Sequence, residues 1–190
     1  MDLRIEKTYR ALSASFTELM EEKRYDDITV AELCDRAMIR RTTFYKHFAD
    51  KDEFFAFYIA TLHDEFSARI EGAPGSETLS ECSAHMFREL TSFLTKHEAF
   101  VDNVLKSSSA PILLDELSNL IARQVLLKAC ELGGAPGSLE AENAAVLYAG
   151  GMVAMLKRWW VSGRDSAHLP AVTRVLNDAA EAISFNMADA

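Results

Sequence analysis

Cysteine is scarce: Cys34, Cys82 and Cys130 are the only three in 190 residues. They lie far apart, make an odd count and form neither a CxxC pair nor a cysteine–histidine ligand spacing, which excludes a disulfide framework, a zinc site and dithiol chemistry. Such cysteines read as small buried hydrophobes in a reducing compartment. Proline is nearly as rare, at positions 74, 111, 136 and 170, and three of the four fall in or beside the breaker clusters GAPGS (72–76), GGAPG (133–137) and HLP (168–170). No apolar run approaches the roughly 20 residues that a bilayer-spanning helix needs. The opening MDLRIEKTYR lacks the apolar core of a secretory signal, so the chain reads as cytoplasmic, with no membrane partner. Sustained period-two alternation between hairpin turns is absent, as is any repeat period. There is also no HExxH, no P-loop, no GxSxG and no pair of Glu-x-x-His helices, so a small all-α enzyme stands far behind other readings, and neither a cofactor nor a metal is expected.

What is present is a chain that folds throughout. With 49% hydrophobic and 26% charged residues it has the composition of an ordinary globular protein. Its length allows one large domain, or one small and one larger. Between the breaker clusters the apolar spacing is helical almost everywhere, which predicts an all-α fold of about nine helices. Ile5, Leu12, Phe16, Leu19 and Met20 set the stripe of a first helix over about 4–22. Thr29 followed by Glu32 is a capping-box pattern and opens a short helix over 30–36. After a break at Ala37–Ile39, Arg40–Phe48 is long enough for two turns, and Asp50 caps a long helix over 51–71. Further helices are expected near 77–96, 98–106, 111–132, 139–162 and 169–187.

Charge is distributed unevenly. The formal net charge is -9, yet residues 1–51 hold 10 Lys and Arg against 10 Asp and Glu, so the whole excess lies in the remainder. Within the neutral part, AMIRRTTFYKHFADK (37–51) contains no acidic residue between Asp35 and Asp50. A basic patch meets phosphate by its local charge and not by the average of the chain. Two short helices joined by a three-residue turn make a helix-turn-helix, whose second helix enters the DNA major groove. Ile39, Phe44 and Phe48 can point inward and anchor that helix, leaving Arg41, Thr42, Tyr45 and Lys46 outward. Arginine can bond guanine bidentately, a threonine methyl can touch thymine, and tyrosine and lysine can reach phosphate.

Over about residues 5–55 the sequence resembles the N-terminal domain of the tetracycline-repressor (TetR) family of bacterial transcription regulators. The resemblance is carried by FTELMEEKRYDDITVAELCDRAMIRRTTFYKHFADKDEFF and is densest in TTFYKHFADK, whose TFYxHFxxK string is specific for that family. It implies a helix-turn-helix DNA-binding domain over 1–50 and a helical ligand-binding and dimerisation domain over 51–190. It also implies roles by position. Thr29 would cap the second helix and offer its hydroxyl or amide to phosphate. Thr43, Tyr45 and Lys51 would contact the DNA backbone, Lys51 with help from its helix's N-terminal dipole. Arg41, Thr42 and Lys46 are the candidates for base readout. His47 would either touch phosphate or pack against the first helix. Two departures stand out: Met38 where the family often has Gly, and Arg40 where it often has Ser or Asn. A left-handed methionine costs about 1 kcal/mol, and losing an N-cap acceptor roughly as much again; Arg40 would add a phosphate contact in return.

Beyond residue 60 the resemblance fades and pattern takes over. NAAVLYAGGMVAMLKRWWVSG (143–163) sets Ala144, Ala145, Ala149, Gly150, Gly151 and Ala154 among large apolar residues, which allows a second helix to approach closely despite the propensity penalty of two glycines. A last helix with Val172, Val175, Leu176, Ala179, Ala182, Ile183 and Met187 on a stripe supplies a partner. In the TetR family the final two helices form a four-helix dimer interface, so a homodimer is expected. Pairing would double a reading of few base pairs across a palindromic double-stranded operator, with half-sites about 34–36 Å apart or a multiple of that. Phe57, Tyr58, His63, Phe66, His85, Met86, Phe93, Phe100, Tyr148, Met152, Met155 and Trp159 offer a mix suited to a small apolar or aromatic effector, although most such residues are ordinary core. The resemblance implies a repressor released from DNA by that effector. The same fold acting through a protein partner, or as an activator, remains the alternative.

Overall fold

The computed structural model describes residues 3–71, 78–132 and 138–188, with the side chains of 63–66, 68–71 and 184–188 left aside. The clusters GAPGS and GGAPG lie outside these residues. Among the described residues the fold is all-α, with nine helices and no strand: α1 (Leu3–Glu22), α2 (Val30–Arg36), α3 (Arg41–Phe44), α4 (Lys51–Glu71), α5 (Leu79–Lys96), α6 (Glu98–Leu105), α7 (Ala110–Glu131), α8 (Leu139–Val161) and α9 (Leu169–Ala188). Most boundaries fall within two residues of those the periodicity predicts. The third helix is the exception: its α-helical part is Arg41–Phe44, and the chain reaches Phe48 by tighter turns. Lys46 N–H bonds the Thr43 carbonyl at 3.3 Å and His47 N–H bonds that of Phe44 at 2.9 Å, three residues back where an α-helix would reach four. The tightening accompanies an immediate restart, because the Asp50 carboxylate accepts from Glu53 N–H at 2.8 Å while Ala49 N–H donates to the Glu53 carboxylate at 2.5 Å.

The described chain forms two compact units. The first comprises residues up to Leu62 together with Leu94–Leu113; the second comprises His63–Phe93 and the residues from Leu114 onward. In the first, Leu12, Phe16, Leu19 and Met20 of α1 are fully buried, as the stripe predicts. The Phe16 ring meets Tyr25, Phe54, Phe55 and Tyr58 at centroid distances of 5.0–6.2 Å. Phe44 and Phe48 join the same cluster through Phe54, at 5.9 and 5.2 Å. Each fully buried ring contributes about 1.5–3 kcal/mol by leaving water. Polar ties close the unit. Asn103 Nδ2 of α6 donates to the Met20 carbonyl at 2.7 Å, and the Ser108 hydroxyl and amide donate to the Asp26 carboxylate at 2.5 and 3.2 Å.

The second unit buries Leu79, Met86, Phe87 and Leu90 of α5, Leu120, Ile121 and Val125 of α7, Tyr148, Met152, Leu156 and Trp159 of α8, and Leu176 and Ala180 of α9. At its centre the Ser83 and Tyr148 hydroxyls are bonded to one another, and the Tyr148 hydroxyl donates to the Leu176 carbonyl at 3.4 Å. Burial pushes the Tyr148 phenol up to about 12. α8 ends in a left-handed turn at Gly163 (φ 96), with Arg164 N–H reaching the Trp159 carbonyl at 3.1 Å. Among the described residues no helix is long and apolar enough to cross a membrane, and no group of three or more His, Cys, Asp or Glu side chains could hold a metal ion.

Three carboxylates of the first unit titrate below their ordinary values: Glu22 through its bond to Arg36, Asp26 through the Ser108 hydroxyl and amide, and Glu32 through Lys23. A folded-state value depressed below the unfolded one stabilises above the unfolded value and is lost as pH falls through the folded one. Stability should therefore be level from pH 7 to about 5 and decline below the ordinary values of 4.5 and 3.8. Urea unfolding across this range checks it. An Asp26→Asn, Glu22→Gln double variant should show a shallower decline.

Candidate nucleic-acid interface

The motif is built from its caps. Thr29 is extended (φ -105, ψ 151) and its hydroxyl accepts from Glu32 N–H at 3.2 Å, the first half of the expected capping box. α2 then buries Leu33 and Cys34, while Arg36 makes a bidentate pair with Glu22 of α1 at 2.5 and 2.8 Å. The turn that follows is a Schellman motif. Met38 takes a left-handed backbone (φ 54), Ile39 N–H bonds the Cys34 carbonyl at 2.9 Å, and Met38 N–H bonds that of Asp35 at 3.2 Å. Methionine thus occupies the position glycine usually takes, and the hydrogen bonding is that of the ordinary motif. Its side chain, 93% exposed, gains nothing from packing to offset the backbone penalty.

Arg40 is extended (φ -68, ψ 138) at the start of α3, and its side chain makes no capping bond, as expected of a residue without an acceptor. Phe44 and Phe48 are buried and Ile39 is half-buried, matching the anchors inferred from sequence. Opposite them Arg40, Arg41, Thr42, Tyr45 and Lys46 are exposed, with Thr43 and His47 half-buried at the margin and Thr29 exposed beside them. Several other cations of this unit are held in ion pairs, among them Arg10 with Glu6, Lys23 with Glu32, Arg24 with Asp26, and Arg36 with Glu22. Arg40, Arg41 and Lys46 have no such partner among the described residues. The result is a rigidly backed face of unpaired donors that no carboxylate neutralises, suited to an acidic polymer.

Two residues expected at this face have neighbours of their own. His47 lies edge-on to Tyr9 of α1, with ring centroids 5.3 Å apart and Nδ1 3.4 Å from the Tyr9 hydroxyl. Lys51 is half-buried, and its ammonium donates to the Tyr25 and Ile28 carbonyls, each at 2.8 Å. Neither Tyr9 nor Tyr25 stands out in the sequence, because a single tyrosine on a helical stripe carries no sign of which ring or cation it will meet.

The expected pocket residues fall in both units. Tyr58 and Phe100 are core of the first unit, 6.0 Å apart by ring centroid, and the Tyr58 hydroxyl bonds Thr17 at 2.8 Å. In the second unit Tyr148 and Met152 are buried, Phe93 is half-buried, and Met155 and Trp159 line a groove of about 370 Å³ between α8 and α9 with Arg158, His168, Val172 and Val175. His85 Nδ1 lies 3.2 Å from Arg88, while its Nε2 and the Gln124 amide nitrogen are buried without a partner among the described residues. The His63 and Phe66 side chains lie outside the described residues.

Residues 14–56 match the family of bacterial regulatory proteins named tetR. The helix-turn-helix segment is thus similar to that of the tetR family. The match covers the stretch from the middle of α1 to the start of α4 and so contains the whole helix-turn-helix. An uncharacterized HTH-type transcriptional regulator of Bacillus subtilis (strain 168), YxbF, is 39% identical over 54 residues, which is 28% of this chain and only 14% of that relative's length. Among solved structures, RolR in complex with resorcinol superposes with a TM-score of 0.64 at 20% identity over 97% of this chain and 96% of its own. The dihydroxyacetone kinase operon activator DhaS does so with a TM-score of 0.57 at 16% identity, over 95% and 96%. At these identities the likeness is one of fold, and it spans nearly the whole chain.

Met38 offers a direct probe of the turn. Met38→Gly removes a left-handed strain of about 1–2 kcal/mol and adds back part of it, about 0.5–1 kcal/mol, as unfolded-chain entropy. The urea midpoint should rise, by an amount equivalent to up to about 1 kcal/mol. An unchanged or lower midpoint would contradict the strained turn.

Proposed function

We propose that the chain is a homodimeric, sequence-specific DNA-binding regulator of transcription, working in the cytoplasm as a repressor that a small molecule releases from a palindromic operator, and that it has no enzymatic activity. The observation that carries the DNA reading is the unpaired cationic face on α3. Arg41, Thr42 and Lys46 read base edges, and Arg40, Thr29, Thr43 and Tyr45 hold the backbone. Residues 1–50 thus form the reading domain and 51–190 the regulatory one.

Dimerisation is supported by α8. Val146, Leu147 and Val161 are 61%, 77% and 74% exposed, and a Cβ added at Gly150 or Gly151 would meet nothing within 4 Å. Two mid-helix glycines each cost about 1 kcal/mol relative to alanine, and no neighbour among the described residues requires them. A second copy of α8 approaching closely does. An effector is supported by the buried, unpartnered nitrogens of His85 and Gln124, which leave hydrogen-bonding capacity inside a helical unit. The resorcinol complex of RolR is one instance of a small hydroxylated molecule held by this fold. Release requires that the effector prefer the DNA-incompetent state, since equal binding to both states shifts nothing.

Selection from a genomic fragment library with the purified chain should enrich a palindrome. Arg41→Ala and Lys46→Ala should each weaken binding to it roughly tenfold or more and relax the preference at the bases they read, while Arg40→Ala should flatten the salt dependence by about 0.9 in log–log slope; enrichment of no sequence would oppose the reading. Sedimentation should give a dimer that Leu147→Glu converts to monomer with its helicity intact. A wild-type monomer at micromolar concentration would remove the dimer. Operator affinity that rises with the effector would mark an activator in place of a repressor.

A further inference from the structure

His47 follows α3 at the margin of the cationic face and meets α1 on its inner side. Among the described residues its one polar side-chain neighbour is the Tyr9 hydroxyl, 3.4 Å from Nδ1, and the two rings stand edge-on with centroids 5.3 Å apart. Tyr9 is itself held in place. Its ring lies 4.6 Å from that of Phe57 on α4 and 5.5 Å from that of the buried Phe48. The hydroxyl at the end of this fixed ring has no other polar partner among the described residues. A phenolic O–H can donate or accept, and because the ring draws electron density from the oxygen, donation is the stronger of its two roles. The bond made by one imidazole nitrogen sets the tautomer of the ring. With Nδ1 accepting from Tyr9, the ring carries its single hydrogen on Nε2 and bears no net charge. The two nitrogens face in roughly opposite directions, so Nε2–H is turned away from Tyr9. His47 is half-buried, and its Nε2, unlike that of His85, is not enclosed without a partner.

We propose that Tyr9 is a positioning residue of the DNA interface: its hydroxyl holds the His47 ring so that Nε2–H donates, as a neutral donor, to a phosphate oxygen of the duplex. The inference rests on the DNA-binding reading above. Tyr9 touches no phosphate itself and acts only through His47. The two roles expected of His47, a phosphate contact and packing against the first helix, then belong to opposite edges of one ring. Contacts to phosphate fix the register of a protein on the duplex and carry no base preference of their own. The effect of Tyr9 therefore falls on all duplexes alike.

The test compares Tyr9→Phe, His47→Ala and His47→Gln, and Tyr9→Phe combined with each His47 variant, in the whole chain. Binding is measured at about pH 8, where a free imidazole is neutral, and well below each melting temperature. Each protein is titrated against the selected operator and an unrelated duplex over a range of salt concentrations. Tyr9→Phe keeps the ring contacts and should weaken binding to both duplexes about threefold to tenfold, the scale of one hydrogen bond, with the wild-type salt slope. His47→Ala should do at least as much, and adding Tyr9→Phe to it should change nothing further. His47→Gln places an amide donor near the position of Nε2 without help from Tyr9. It should recover part of the affinity and make Tyr9→Phe neutral. Nitrogen-15 spectra of histidine-labelled wild type should show the hydrogen of His47 on Nε2, with slower exchange of that hydrogen on the duplex and less slowing in Tyr9→Phe. Wild-type affinity in Tyr9→Phe or in His47→Ala would overturn the proposal. So would a Tyr9→Phe loss that persists in full beside His47→Ala, which would give Tyr9 a contact of its own, or a hydrogen on Nδ1 of the wild type. If the wild type binds no duplex, the DNA reading fails and the positioning role falls with it; the spectra of the free protein then separately decide whether Tyr9 donates to Nδ1.

Discussion

Phe16 of α1 has no exposed surface, and four other rings surround it. Much of the first unit depends on that cluster. α3 spans four residues, far short of the roughly 12–15 at which an isolated helix begins to hold in water, so its geometry must come from what it is fastened to. Phe44 and Phe48 supply the fastening by reaching Phe54. With those two rings fixed inward, helical and turn geometry put Arg41, Thr42, Tyr45 and Lys46 outward. Hydrophobic burial on one side of a very short element thus becomes a defined array of donors on the other.

The same unit manages charge by pairing most of its cations and sparing a few. Arg36 and Lys23 are bound to carboxylates that brace α2 against α1 and its exit, and Lys51 is bound to carbonyls. Exposed pairs of this kind add little stability individually; their consequence is positional. Among the cations left over, Arg40, Arg41 and Lys46 lie together on the α3 face, while the remainder of the chain carries the acidic excess. A net charge of -9 is therefore compatible with a phosphate-binding face, and the repulsion of the acidic part from DNA favours approach by that face alone.

The helices were legible because their apolar stripes and caps are local features: the Thr29 and Asp50 caps and the α1 stripe appear where the residues place them. The third helix was overestimated because its periodic anchors, Phe44 and Phe48, persist through turns that are no longer α-helical. Met38 shows the limit of propensity. The sequence signals a penalised turn, and the chain adopts the left-handed turn regardless, because Ile39 and Met38 complete the Schellman bonds, just as Gly163 and Arg164 do at the end of α8. Lys51 and His47 show a different limit. Their partners, Tyr25 and Tyr9, lie 26 and 38 residues away, and a cation's choice between a carbonyl and a solvent-exposed ligand is fixed by tertiary approach. Residue type alone marks the pocket candidates, and a core and a ligand site share those types; the candidates fall in both units.

The central claim is that two copies of this cationic α3 face read one duplex together. Hydroxyl-radical footprinting of the selected duplex tests it most directly. The account predicts two protected patches related by a dyad, with centres one helical turn apart, about 34–36 Å, or a whole multiple of that. A single patch, or uniform weak protection along the duplex, would contradict it.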